Sequence, residues 1–168
     1  MKGKTIILAG GSGGLGSAIA ESLAQRGAIP VIGCKSNSER ATALARTILE
    51  KYGVTAPVVP GDILEAEVRQ KLLAAARQAG PLYGVVPLVG QPARVPIETA
   101  TEQDLMESMR TNFIGPVLLA RDFAAALGEQ DGAVVFISTM QGIGVFSGSA
   151  TYAAPKAALV HAGRILAK

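Results

Sequence analysis

Thiol and imidazole are scarce in this chain: its 168 residues include one cysteine, Cys34, and one histidine, His161. A lone cysteine excludes an internal disulfide framework and any cysteine-cluster metal site. A lone histidine removes multi-histidine zinc sites and gives a Ser-His-Asp triad little basis, so no metal is expected. Tryptophan is absent and aromatic residues make up only 4%, too few for base-stacking platforms. The net charge is +3, but the lysines and arginines are scattered, with no long basic run; nucleic acid is therefore not an expected partner. No stretch approaches the roughly 18 uninterrupted apolar residues of a transmembrane span. The N-terminal Met1-Lys2-Gly3-Lys4-Thr5-Ile6-Ile7-Leu8 has too short an apolar run for a signal peptide. The expectation is a soluble, cytoplasmic protein with no membrane partner.

What is present is apolar material, 49% of residues against 17% charged, enough for one domain spanning 1–168. Short β-type runs at Thr5–Ala9, Pro30–Cys34, Ala56–Pro60, Gly84–Val89 and Ala133–Ser138 alternate with helical patterns at Gly14–Arg26, Ser38–Tyr52, Leu64–Ala79, Glu102–Leu127 and Tyr152–Ala167. In the first helical pattern Ile19, Ala20 and Leu23 share a face, with Glu21, Gln25 and Arg26 turned away. The strand runs are continuously apolar rather than alternating, as in a parallel sheet covered by helices on both faces. The pattern predicts an α/β fold, a doubly wound parallel sheet of the Rossmann type.

The first strand runs into Gly10-Gly11-Ser12-Gly13-Gly14-Leu15-Gly16 and directly into a helix. Such glycines permit a tight turn, close approach of a pyrophosphate and close helix–strand packing, with the phosphates on the helix N-terminus. A turn of this kind in the first βα unit points to a dinucleotide, and the lack of a Gly-Lys-Ser/Thr ending disfavours a P-loop. The second strand ends Gly33-Cys34-Lys35-Ser36-Asn37 without the acid that would hold ribose hydroxyls. Lys35 and Ser36 can instead receive a 2′-phosphate, which favours NADP(H) over NAD(H); the plain alternative is a solvated loop lysine. Asp62 can accept from the adenine amino group or simply cap the next helix.

Tyr152 and Lys156 stand at i and i+4 on one helical face. A phenol is a poor base at neutral pH and a nearby cation favours its ionised form. The pair thus reads as a general acid/base for carbonyl–alcohol chemistry, or else as an ordinary surface pair. Pro155 is expected in the first turn of that helix, where its missing N–H costs little. Ser138-Thr139 ends the fifth strand, on the side of a doubly wound sheet where ligands bind.

On these residues the chain resembles the short-chain dehydrogenase/reductases. Ala9 to Gly16 match the family's Thr-Gly-x-x-x-Gly-x-Gly turn with Ala for the leading Thr, and Tyr152 and Lys156 match its Tyr-x-x-x-Lys. Asn112 falls where the family has its catalytic asparagine, and Asp62-Ile63 looks like its adenine-pocket motif. Gly148-Ser149-Ala150-Thr151-Tyr152-Ala153-Ala154 is similar to the corresponding segment of 3-oxoacyl-carrier-protein reductases.

The resemblance implies an oxidoreductase acting on a small-molecule carbonyl or alcohol. Tyr152 would exchange the proton, Lys156 would hold the nicotinamide ribose, and Asn112 would anchor a water in the proton relay. Gly10, Ser12, Gly13, Gly14, Leu15, Gly16, Lys35, Ser36, Asp62, Ile63 and Gly90 would line the cofactor together with Tyr152 and Lys156. The family's active-site serine falls on Thr139, whose hydroxyl is retained; Ser138 would face the other side of a regular strand. The resemblance also implies a homodimer or homotetramer.

Two departures qualify it. The family's Asn-Asn-Ala-Gly is here Pro87-Leu88-Val89-Gly90, and Pro87 removes a donor from a strand expected to be central, so pairing or a bend must differ. The family is also longer, with a sixth strand, a substrate loop and a seventh strand after the Tyr152 helix. The domain is thus expected to be incomplete at its C-terminus, with Ala133–Ile137 an apolar sheet edge. These departures leave one alternative, a non-catalytic nucleotide-binding or regulatory protein on the same fold, which binds NADPH without turning it over.

Overall fold

In the computed structural model, residues 1–91, 95–145, 148 and 150–168 are described. They gather into two compact units, Met1–Leu88 with Leu119–Val135, and Val89–Leu118 with Phe136–Lys168.

The first unit is built on a five-stranded parallel sheet: β1 (Thr5–Ala9), β2 (Ile29–Cys34), β3 (Val58–Pro60), β4 (Leu82–Pro87) and β5 (Ala133–Val134). Its order is β3-β2-β1-β4-β5, so the winding reverses between β1 and β4. Every residue of β1 is buried, which accounts for its unbroken apolar run in the centre of the sheet. Helices α1 (Gly14–Gln25), α2 (Ser38–Tyr52) and α3 (Ala66–Ala79) pack on β2 and its neighbours. On α1 the innermost residues are Gly16, Ala20 and Ala24, with Ile19 and Leu23 only half-buried. The fold class read from the sequence holds.

Prolines explain two of the strand bounds that differ from the sequence expectation, the start of β3 and the end of β5, while β2 begins one residue early at Ile29. Pro57 has no N–H for the ladder, so β3 begins at Val58, two residues later than expected, although the Pro57 carbonyl accepts from Ile32 N at 2.8 Å. β4 starts and stops two residues early, at Leu82 and Pro87. Alternate N–H groups of a strand face opposite neighbours. Leu88 N donates to Ala9 O of β1 at 2.7 Å, whereas Val85 accepts from Val135 N on the β5 side. The donor missing at Pro87 therefore faces β5. The β5 ladder accordingly stops at Val134 instead of running to Ser138, and it forms an edge with Val134 and Val135 40% and 48% exposed.

Helix α3 opens at Ala66 rather than Leu64, because Asp62 Oδ1 takes Leu64 N and Asp62 O takes Glu65 N in a separate turn. Asp62 is not the helix cap. That turn is pinned from within the unit by Arg69, 4% exposed, which donates to Ile63 O at 2.7 Å, Leu64 O at 3.0 Å and Asp122 Oδ2 at 2.6 Å. Burial works to raise the Asp122 pKa, but hydrogen bonds and charge from Arg69 and Arg121 outweigh it and hold the carboxyl below its usual value. A depressed carboxylate stabilises the fold above its unfolded pKa and loses that contribution as pH falls through the folded one. Arg69→Met is expected to destabilise the protein by about 2 kcal/mol at neutral pH, because the Ile63 and Leu64 carbonyls lose their donor and Asp122 keeps only Arg121. The difference from wild type should shrink below about pH 4, where carboxylates protonate; urea unfolding at neutral and acid pH measures both.

The second unit holds α4 (Glu102–Met109), a wide helical turn at Arg110–Ile114, the start of α5 (Gly115–Leu127), a short 3-10 turn (Met140–Gly142) and α6 (Ala150–Leu166). Thr101 and Asp104 form a reciprocal capping box at the head of α4. The sequence predicts one helix over Glu102–Leu127, and the chain is helical throughout, but with one residue inserted: Gly115 N–H reaches back five residues to Arg110 O. Pro116 supplies the reason, since its ring crowds the carbonyl four residues before it, at Asn112, and has no N–H to return. Helix α6 begins two residues before the expected start, which makes Pro155 its sixth residue, inside the helix rather than in the first turn. Among the described residues no helix is long and apolar enough to cross a membrane, and no cluster of metal-ligating side chains occurs.

Candidate active site

In the first unit the glycine turn is tied to the end of β2, since Gly10 N and Gly11 N both donate to Gly33 O, at 2.9 and 3.0 Å. Gly10 adopts φ +83°, a left-handed conformation natural to glycine. A Cβ on Gly16 would stand 2.6 Å from Gly10 O and 2.7 Å from Gly11 Cα, so only glycine lets α1 start this close to β1. Ser12 is buried, and its carbonyl accepts from Ser17 Oγ. The α1 N-terminus has Gly13 as N-cap, with no side-chain cap and no acid in its first turn, and Gly13, Gly14 and Leu15 are exposed. An uncapped, solvent-facing helix head of this kind suits a phosphate.

Beyond β2, Lys35 Nζ lies 2.7 Å from Asp62 Oδ2, with the lysine 71% exposed. The two residues assigned from the sequence to opposite ends of an adenosine phosphate are thus neighbours. Ser36 is exposed beside them and Ile63 is buried beneath. Cys34 is buried, and burial pushes its thiol pKa up.

The second unit gathers the other candidates. Lys156 is 3% exposed, donates to Ile137 O at 3.0 Å and has its Nζ 5.9 Å from the centroid of the Tyr152 ring. Desolvation lowers its pKa. Asn112, fully buried in the wide turn, has its carboxamide committed: Oδ1 accepts from Gln91 N, and Nδ2 donates to Gln91 O, Ser108 O and Ser108 Oγ, at 3.1–3.2 Å. A Cβ on Gly90 would come within 3.0 Å of Asn112 Oδ1 and 3.3 Å of Lys156 Nζ. Gly90 is therefore the bare backbone against which both side chains fit.

Neither Ser138 nor Thr139 lies in a strand. Ser138 Oγ donates to Lys156 O at 3.1 Å and is spent on holding α6. Thr139 Oγ1 accepts from Gln141 N at 3.4 Å, which leaves its own O–H to donate elsewhere. Of the segment similar to 3-oxoacyl-carrier-protein reductases, Ser149 lies outside the described residues.

The family model described as short chain dehydrogenase matches residues 4–168. The chain belongs to the short-chain dehydrogenase family. It is 33% identical to a 3-oxoacyl-[acyl-carrier-protein] reductase of Aggregatibacter actinomycetemcomitans, over 98% of this chain and 69% of that protein. It is 32% identical to a tropinone reductase homolog of Arabidopsis thaliana, over 99% of this chain and 64% of that one. The crystal structure of a dehydrogenase/reductase from Sinorhizobium meliloti superposes with a TM-score of 0.89 at 32% identity, covering 96% of this chain and 64% of that one. This short-chain dehydrogenase thus spans about two thirds of the length of the relatives it matches.

Two residues of the site, Ser108 and Gln91, were missed in the sequence, whereas Gly142 reads there as a glycine that lets the loop before Tyr152 turn or lines the substrate entrance. Ser108 and Gln91 hold the Asn112 side chain, and Gly142 lets the 3-10 turn approach α6, since its Cβ would meet the Lys156 backbone at 3.1 Å. Ser108 carried a readable signal, one helical turn before Asn112. Gln91 acts through its backbone, which side-chain pattern does not report.

Proposed function

We propose that this protein is an NADP(H)-dependent oxidoreductase that interconverts a carbonyl and a secondary alcohol, with Tyr152 as general acid/base. The observation that carries the reading is the buried Lys156 ammonium beside the Tyr152 ring. A cation with little solvent around it favours negative charge developing on a neighbouring oxygen, and a phenol so placed can give its proton to a substrate oxygen or take it back. Thr139, with its O–H directed elsewhere than Gln141, donates to the same substrate oxygen. Asn112 anchors a water through its main-chain carbonyl, because Pro116 returns no N–H to that group and the side-chain amide is already engaged.

The bare α1 head and the glycine cradle fit a dinucleotide pyrophosphate; Asp62 and Ile63 would take the adenine, Lys35 and Ser36 the 2′-phosphate, and Lys156 the nicotinamide ribose. When bound, the nicotinamide supplies the hydride. A cytoplasmic homodimer or homotetramer belongs to the same reading. Leu105 and Met106 on α4, 41% and 53% exposed, are apolar surface that a second copy would cover.

The test is oxidation of NADPH, followed by absorbance, with ethyl acetoacetate as a soluble 3-oxo ester. Turnover is expected with NADPH in preference to NADH, and no turnover with either nucleotide would sink the reading. In the same assay Lys35→Glu is expected to raise KM for NADPH roughly 10–100-fold, the loss of a charge-assisted contact, while KM for NADH holds or falls. An unchanged ratio of the two KM values would remove Lys35 from cofactor choice.

A further inference from the structure

Pro155 sits between the two residues of the proposed acid/base pair, with Tyr152 on its N-terminal side and Lys156 on its C-terminal side. In a regular helix the N–H of residue 155 would donate to the carbonyl of Thr151. Proline cannot, and an interior proline also bends the helix at that point. The bend would be felt as a change in the angle between the turn carrying Tyr152 and the turn carrying Lys156. The released carbonyl also belongs to a residue that is 1% exposed, where an acceptor without a donor is costly.

The structure meets that need from another helix. Ser108, on α4 and 3% exposed, donates its hydroxyl to Thr151 O at 2.6 Å. The same Oγ accepts from Asn112 Nδ2 at 3.2 Å, so both its donor and an acceptor position are used. The Asn112 amide continues to the Gln91 main chain at 3.2 Å. A second tie, Thr151 Oγ1 to Val95 O at 3.3 Å, holds the same helical turn. One serine hydroxyl thereby joins the segment after β4, the wide turn bearing Asn112 and the first turn of α6.

We propose that Ser108 is a positioning residue for Tyr152, replacing the hydrogen bond that Pro155 withholds from Thr151. The proposal rests on the reading of Tyr152 as the acid/base. Ser108 touches neither substrate nor cofactor; it sets the direction of the helical turn from which Tyr152 projects, and it couples that direction to Asn112.

The arrangement predicts a specific rescue. Ser108→Ala removes the donor and should lower kcat for ethyl acetoacetate about 10–100-fold, the scale of misplacing a reacting group by an ångström, with KM for NADPH unchanged. Pro155→Ala restores an N–H at the position that faces Thr151 O. The Ser108→Ala/Pro155→Ala double variant should therefore regain most of the lost kcat, although neither substitution adds a group that touches substrate. The kcat loss at constant KM is the discriminating readout, since a merely structural role for Ser108 would lower NADPH binding and turnover together. Ser108→Cys is a slightly larger side chain and a weaker donor, so it fills the space that alanine vacates and should show an intermediate kcat. An active wild type with Ser108→Ala or Ser108→Cys at wild-type kcat, or a double variant no better than Ser108→Ala, overturns the proposal and leaves the function standing. A wild type inactive with both NADPH and NADH overturns the function first and the positioning role with it.

Discussion

Tyr152→Phe is expected to reduce kcat by about 10²–10⁴-fold, the usual worth of a placed proton donor, while NADPH affinity stays within a factor of about two. Phenylalanine keeps the ring that lies 5.9 Å from Lys156 Nζ and loses only the hydroxyl, so packing and the Lys156–Ile137 hydrogen bond have no reason to change. The split between kcat and binding is the informative part. Nucleotide fluorescence on the variant measures affinity, and single-turnover reduction of ethyl acetoacetate measures the chemical step. Equal loss in both would mean that the residue holds the cofactor rather than the proton. Unchanged turnover would remove Tyr152 from the reaction.

How much of this was legible in the sequence depended on whether a residue's role is local. The order of elements and the parallel sheet followed from unbroken apolar runs, and β1 and α2 were read to the residue because nothing tertiary shifts their ends. Most of the misread bounds fall near prolines, and the start of α3 falls at the turn that Asp62 closes. Pro87 cuts β5 short through a donor missing on a different strand, and Pro116 widens the helical turn at Asn112 through the carbonyl it crowds. The placement of Pro155 failed for a related reason, as its tolerance inside α6 depends on Ser108, 47 residues earlier in the chain by subtraction.

The site shows the same division. Motif spacing singled out Tyr152, Lys156 and Asn112, and the second unit does bring Asn112 and Lys156 against Gly90. It did not reveal that Ser138 is consumed by the Lys156 carbonyl, or that Lys35 and Asp62 meet as an ion pair. Both facts are contacts between segments joined only by the fold. The Lys35–Asp62 contact bears on cofactor choice, because any phosphate drawing on Lys35 competes with a carboxylate already there.

Gly16→Ala should be the most damaging change to the first unit, and it separates two reasons for glycine in one turn. The added methyl would meet Gly10 O at 2.6 Å and both Cα and O of Gly11 at 2.7 Å. All three are backbone atoms of the turn itself, which cannot step aside as a side-chain tip can. Relief requires α1 to move off the sheet or the turn to open, at a cost of about 3 kcal/mol, the upper part of the usual range for overpacking. Either movement also displaces the N–H groups at the helix head, so NADPH affinity should fall with stability. Gly14→Ala is the control from the same loop: its Cβ meets nothing within 4 Å, and alanine is a better helix former. It should unfold at the wild-type urea concentration or slightly above. If a pyrophosphate packs against that backbone, Gly14→Ala loses NADPH affinity with no loss of stability, whereas Gly16→Ala loses both. Urea midpoints and nucleotide titrations on the two variants, read as a pair, thus distinguish a glycine kept for folding from one kept for the ligand. Equal stability in both would mean that α1 does not start as close to β1 as the Gly16–Gly10 contact requires.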